Sequence, residues 1–157
     1  MLSRASQYRL WYQWERLAPM LENLNLEQIE KRWQADKWSI REHLCHMGRY
    51  QEVFLARMKQ ILEKDGVALG RYVAEKDPGA MQWLDMDLPK LHAQIQKDRM
   101  AMIQLVHDLK PAQWKRSGVH PKFGAMTIPE WLEFFLLHEA HHLYAIFRMS
   151  REMRAME

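Results

Sequence analysis

The chain has one cysteine, six glycines and six prolines in 157 residues, and each scarcity excludes something. A single cysteine, Cys45, cannot pair within the chain, so no internal disulfide framework holds the fold, and a lone thiol agrees with a reducing cytosol. Most of the glycines and prolines gather at positions 66–70, at Pro78-Gly79, at Pro89, at Pro111 and at positions 118–129. Between these points lie long segments with helical spacing and no run of alternating β-branched residues, which predicts an all-α chain without a sheet. An excess of one charge is also missing. With 23 basic and 20 acidic side chains the net charge is +3, and no run of Lys and Arg is long enough to track a phosphate backbone, so no nucleic-acid partner is expected. The opening residues, MLSRASQYRLWYQWERL, are broken by Arg and Glu and resemble neither a signal peptide nor a membrane span. The expectation is a soluble, cytoplasmic protein with no membrane partner, forming a single domain over residues 1–157, a usual domain size.

What is present is helical punctuation. A first helix is predicted over about Ser6 to Leu24, followed by a short turn of helix from Leu26 to Trp33. A third long segment runs from Asp87, an N-cap with Pro89 in its first turn, to Leu109 before Pro111. Ser39-Ile40-Arg41-Glu42 and Thr127-Ile128-Pro129-Glu130 both match the capping box, in which hydroxyl and carboxylate satisfy backbone N–H groups at a helix start. They open helices of about Ser39 to Asp65 and Thr127 to Glu152. Four long helices favour a four-helix bundle. The link over residues 66–86 exceeds what an antiparallel hairpin needs, so it can cross the bundle instead of turning back.

The chemistry concentrates in "FFLLHEAHHLYAIF", Phe134 to Phe147. His138 and His142 share a stripe with Trp131, Leu132, Phe135 and Ile146, so both point toward the core, stacked about 6 Å apart along the axis. Each buried imidazole needs a partner for its nitrogens, and two stacked ones can converge on one ion. His138-Glu139-Ala140-His141-His142 also spells the H-E-x-x-H of zinc proteases. That chemistry needs a third ligand well downstream, which the residues after His142 do not contain, and a substrate strand edge, so a protease is not expected. Glu139 reads as a solvated or supporting carboxylate. On the second long helix, His43 lies near the middle of the apolar stripe of Ile40, Leu44, Met47 and Phe54, and His46 lies toward its edge beside Tyr50. Periodicity leaves both open and slightly prefers His43.

Trp38-Ser39-Ile40-Arg41-Glu42 followed by His46 resembles the W-S-x-x-E-x-x-x-H pattern of the DinB-like superfamily of four-helix-bundle metalloenzymes. "HPKFGAMTIPEWLEFFLLHEAHHL", His120 to Leu143, is similar to the approach to that superfamily's last helix. There a His-Pro, a Gly, a Thr-capped start and an H-[DE]-x-H-H follow in this order. The resemblance covers essentially the whole chain. It implies an up-down-down-up helix order and a metal site of His46, His138 and His142. The chain departs from the pattern at Ala145, where many relatives carry Gln, and in having His43 and Cys45 beside the implied ligand. The Cys45 side chain points about 100° away from that of His46, as a packing residue would.

Three histidines leave a coordination position open, as catalytic zinc sites do. Imidazole donors suit zinc or nickel over magnesium or calcium. The family resemblance brings metal-dependent hydrolysis of a small molecule and transfer or isomerisation with a low-molecular-weight thiol. It equally brings the alternative of a metal-binding or damage-response protein without turnover. No residue is assigned a catalytic role. Arg49, Arg57, His120 and Lys122 are candidates for holding an anionic substrate. Phe134, Leu137, Tyr144 and Phe147 make the last helix apolar on its far side as well, which predicts a homodimer.

Overall fold

A computed structural model describes residues 1–155. Its long helices are α4 (Ile40–Glu63), α6 (Leu88–His107) and α7 (Ile128–Arg154), with the first arm of the bundle assembled from α1 (Arg4–Tyr12) and α2 (Leu17–Leu21). Short helices α3 (Leu26–Glu30) and α5 (Gly79–Leu84) lie in the connections.

The starts form as the capping patterns require. Ser39 Oγ accepts from the backbone N–H of Glu42, whose carboxylate accepts from the Ser39 N–H. Asp87 caps α6 through the Lys90 N–H, ahead of Pro89. At α7 the Glu130 carboxylate takes both the backbone N–H and the hydroxyl of Thr127, at 2.7 and 2.6 Å. The first helix is not continuous from Ser6 to Leu24 but is interrupted by a 3₁₀ turn at Gln13–Arg16. Pro19 explains this, because a proline inside a helix lacks the N–H for Glu15 and its ring crowds that carbonyl.

Helix directions follow from which residues meet. Arg41 donates to the carbonyls of Leu84 and Met86, Gln51 to that of Ile95, and Arg99 to Gln51, a nearly constant offset, so α4 and α6 run parallel. Tyr50 faces Phe135 and His138 while His43 faces His142, so α4 and α7 are antiparallel. Arg9 reaches Glu133 and Gln13 reaches Leu136, so α1 runs with α7. The order is up-down-down-up. The link between α4 and α6 must therefore return along the whole of α4, about 36 Å at 1.5 Å per residue, and in doing so it lays Tyr72 and α5 against that helix. Trp83 of α5 sits so close to Gly48 that a Cβ there would stand 2.1 Å from its ring.

The expectation of no sheet is corrected. β1 (Val67–Ala68), β2 (Ser117–His120) and β3 (Gly124–Thr127) form a three-stranded sheet in that order, β1 parallel and β3 antiparallel to β2. Strands of two to four residues are too short to leave an alternating pattern in the sequence. Gly124, at φ 75°, makes the β2–β3 turn, and Gly118 lies against Ile61 where a Cβ would come within 2.8 Å. The sheet ties together the ends of α4 and α6 and the start of α7.

The apolar core fills two regions. One, around Phe54, Met58, Trp131 and Phe135, lies below the sheet, and the other, around Ile40, Met47, Trp83, Ile95 and Ile146, lies at the opposite end. Between them a buried polar network joins all four arms of the bundle. Arg99, 1% exposed, pairs with the Glu139 carboxylate and donates to Gln51 Oε1 at 2.7 Å and to the Leu10 carbonyl at 3.0 Å. Gln13 Nε2 donates to the other Glu139 oxygen at 2.8 Å. Among the described residues no helix is long and apolar enough to cross a membrane.

Candidate metal centre

α4 delivers His46 and α7 delivers His138 and His142, one turn apart on the face that meets α4. The ligand nitrogens of these three side chains all lie within 4.8 Å of one another. His46 Nε2 is 3.0 Å from His138 Nε2, which is 3.2 Å from His142 Nε2. Tetrahedral sites with metal–nitrogen bonds of about 2.0–2.1 Å hold their nitrogens about 3.3 Å apart, so the donor set fits a small divalent ion. His141 is exposed and takes no part in the trio.

His43, which periodicity favoured, does not enter the trio; it stands behind it. Its Nδ1 lies 2.9 Å from Nδ1 of His142. One of two facing imidazole nitrogens must carry the proton and the other accept it. If His142 holds its proton on Nδ1 and donates to His43, its Nε2 lone pair is free for the trio, and the His43 proton sits on Nε2. His43 thereby sets the tautomer of His142, as hydrogen-bond partners of metal-ligating histidines commonly do.

Burial keeps all four imidazoles neutral near pH 7. It pushes His43 and His46 down from 6.5 to about 4, His138 to about 3 and His142 to about 2, and their mutual repulsion when protonated adds to the effect. Neutral imidazole is the form that binds metal. Trp38 lies nearly parallel to His142, with ring centroids 5.9 Å apart and 14° between planes, and also covers His46 at 4.9 Å. Tyr50 packs on His138 with ring centroids 4.1 Å apart.

His46 and His138 open onto a cleft of about 770 Å³, whose far walls come from the α4–α6 link and the β2–β3 turn. Of the four candidate anion-binding residues, Arg57, His120 and Lys122 line it and Arg49 does not. Arg49 is occupied by Asp77 at 2.7 and 3.0 Å and by Glu52 at 2.7 Å. His120 Nδ1 accepts the backbone N–H groups of Lys122 and Phe123 and so fixes the turn. Cys45 is buried, with its thiol donating to the Trp83 carbonyl at 3.2 Å and pushed up to about 11 by burial, the packing role its direction indicated.

Glu139 differs from the expectation of a solvated or supporting carboxylate. It is 3% exposed and turned to the α1 and α6 side, where Arg99 and Gln13 hold both oxygens. The letters H-E-x-x-H therefore carry two unrelated jobs here, a core ion pair and half of a histidine cluster. Sequence reasoning gave no site role to Trp38, Tyr50 or Tyr72. Tyr50 lies four residues after His46 on the same face and was findable by spacing, whereas Tyr72 comes from the irregular link and left no periodic signal.

A family model of the DinB superfamily matches residues 9–146. The chain is 27% identical over 135 residues to "Uncharacterized protein YuaE" of Bacillus subtilis, covering 78% of this chain and 83% of that one. It is 23% identical over 133 residues to a protein of Oceanobacillus iheyensis named "Putative metal-dependent hydrolase", covering 82% of this chain and 77% of that one. Among solved structures, it superposes on YfiT from Bacillus subtilis, "a probable metal-dependent hydrolase with an unusual four-helix bundle topology". The TM-score is 0.81 at 20% identity, covering 98% of this chain and 90% of that one. TT2238, "a four-helix bundle protein", gives a TM-score of 0.66 at 18% identity, covering 90% and 95%. Those likenesses speak to the fold, and the family match spans nearly the whole chain: the protein belongs to the DinB superfamily.

Proposed function

We propose that His46, His138 and His142 hold one divalent ion, zinc or nickel by donor preference, and that the protein is a metal-dependent enzyme hydrolysing a small molecule in the adjoining cleft. The observation that carries this reading is the convergence of three neutral imidazoles, two of which, His46 and His138, line the wall of an open cleft. When bound, such an ion supplies Lewis acidity that ionises water or a thiol near neutral pH. The chain supplies the rest. His43 holds the His142 tautomer, Trp38 and Tyr50 fix the imidazole planes, and among the described residues no carboxylate or thiol closes the remaining coordination positions. The names of the Oceanobacillus iheyensis relative and of YfiT support hydrolysis.

A second reading, transfer with a low-molecular-weight thiol, is favoured by the cleft volume of about 770 Å³, room for a cosubstrate beside an acceptor. It is favoured also by the lack of a reactive protein thiol, since Cys45 is sealed in the core. Cobalt-substituted protein separates the readings. A spectral change with small thiols that saturates tightly supports transfer. A pH–rate profile rising through about 7 supports hydrolysis. A spectrum indifferent to thiols and anions alike refutes both and leaves a metal-binding role without turnover.

A further inference from the structure

Arg57 projects from α4 into the cleft floor, three turns along the helix from His46. It is 8% exposed, yet among the described residues no carboxylate pairs with it. The other buried arginine among the described residues, Arg99, is neutralised by Glu139, and the half-buried Arg49 by Asp77 and Glu52. A buried cation without a counter-charge is costly. Arg57 Nη2 donates to the Gly70 carbonyl at 2.7 Å and Nη1 to Tyr50 Oη at 3.3 Å, and the group lies over the Trp131 ring at 5.7 Å. Those two bonds leave most of the five guanidinium donors unspent. Tyr50 Oη, in accepting from Arg57, keeps its own proton free to donate, and its ring already touches His138.

The wider wall points the same way. Arg71 and Lys122 line the cleft against one carboxylate, Glu75, and the histidines add no negative charge. We infer that the guanidinium of Arg57 and the hydroxyl of Tyr50 form a receptor for an oxyanion of the substrate, a carboxylate or phosphate, held beside the three histidines. The inference rests on the metal-centre reading for what happens to the substrate, but the receptor itself is built from Arg57 and Tyr50 alone. A planar guanidinium suits a two-oxygen anion, and the small substrate is then an acid or a phosphate ester, not a neutral molecule.

The test is calorimetric titration of inorganic phosphate, and separately of acetate, into full-length protein, both zinc-loaded and metal-free. The expected result is one saturable site for at least one of the two anions in both forms. Arg57→Met should weaken it about tenfold or more and Tyr50→Phe a few-fold, with zinc content unchanged in both variants. Stronger binding of phosphate or of acetate identifies the oxyanion. Binding of neither anion, or equal binding to wild type and Arg57→Met, overturns the inference. Arg57→Met also removes the bond to Gly70; should it not fold, Arg57→Lys, which keeps the charge and loses the fork, decides. Weaker anion binding by that variant supports the receptor and unchanged binding refutes it. Arg57-dependent anion binding by protein that takes up no zinc would sink the metal-centre reading and leave this one standing. Zinc uptake with anion binding indifferent to Arg57 would do the reverse.

Discussion

Replacing Glu139 with alanine tests whether the H-E-x-x-H letters signify a protease-like base or a core ion pair. Arg99 and Glu139 are 1% and 4% exposed at their side chains, so neither charge is screened by solvent. Alanine would leave the guanidinium buried with only Gln51 Oε1 and the Leu10 carbonyl as neutral acceptors, and would free Gln13 Nε2 from one of its two partners. Breaking a buried pair from one side typically costs about 3–5 kcal/mol, a large share of the ~5–15 kcal/mol that holds a domain folded. The matched double change, Arg99→Met with Glu139→Leu, removes both charges and should recover most of that loss, since well-packed apolar replacements of buried pairs are often neutral or better. Urea denaturation of the two single variants and the double variant, with zinc content measured alongside, closes the cycle. The reasoning is refuted if Glu139→Ala unfolds at the wild-type urea concentration while losing metal or turnover, because Glu139 would then serve the site and not the core.

Other outcomes follow from the same geometry. His43→Phe should lower zinc affinity about 10–100-fold by freeing the His142 tautomer, with His43→Gln partly restoring it, as read by chelator competition; equal affinities would show that the Nδ1 contact is incidental. In the metal-free protein the histidines are neutral when folded and titrate at about 6.5 when unfolded. Unfolding therefore takes up protons only below that pH, and stability should be flat above about 6.5 and fall as pH drops toward 4. The slope should be up to about 1.4 kcal/mol per pH unit for His138 or His142 and less for the more exposed His43 and His46. A urea midpoint constant from pH 7 to 5 would contradict the burial. Leu137, Tyr144 and Phe147 are 56%, 63% and 46% exposed on one side of α7; sedimentation is expected to find a dimer that Leu137→Glu converts to monomer, and a wild-type monomer at high concentration would refute that.

Much of this arrangement is legible in the sequence, for identifiable reasons. Ser39/Glu42, Asp87 and Thr127/Glu130 mark helix starts because backbone N–H groups at those points need local acceptors, and all three helices begin there. His138 and His142 are readable as a stacked pair because both fall on the apolar stripe. The choice between His43 and His46 is not readable from period alone. Both face α7, one to each side of the His142 ring, and which nitrogen each meets depends on the offset between two helices remote in sequence. Glu139 misleads for the same reason, because its partner Arg99 lies on α6 and nothing near Glu139 in the chain announces it. The 3₁₀ break after Tyr12 is visible in hindsight at Pro19, whereas the sheet depends on bringing Val67 beside Gly118, a pairing no local pattern encodes.

The central claim is that one ion sits among His46, His138 and His142. Elemental analysis of protein purified without a histidine tag, and never exposed to chelator, tests it most directly when wild type is measured beside His142→Ala and His141→Ala. About one equivalent of zinc or nickel per chain is expected in wild type and in His141→Ala, and little in His142→Ala. Wild-type protein that retains no divalent metal after zinc loading, or an equal loss from the two variants, would contradict it.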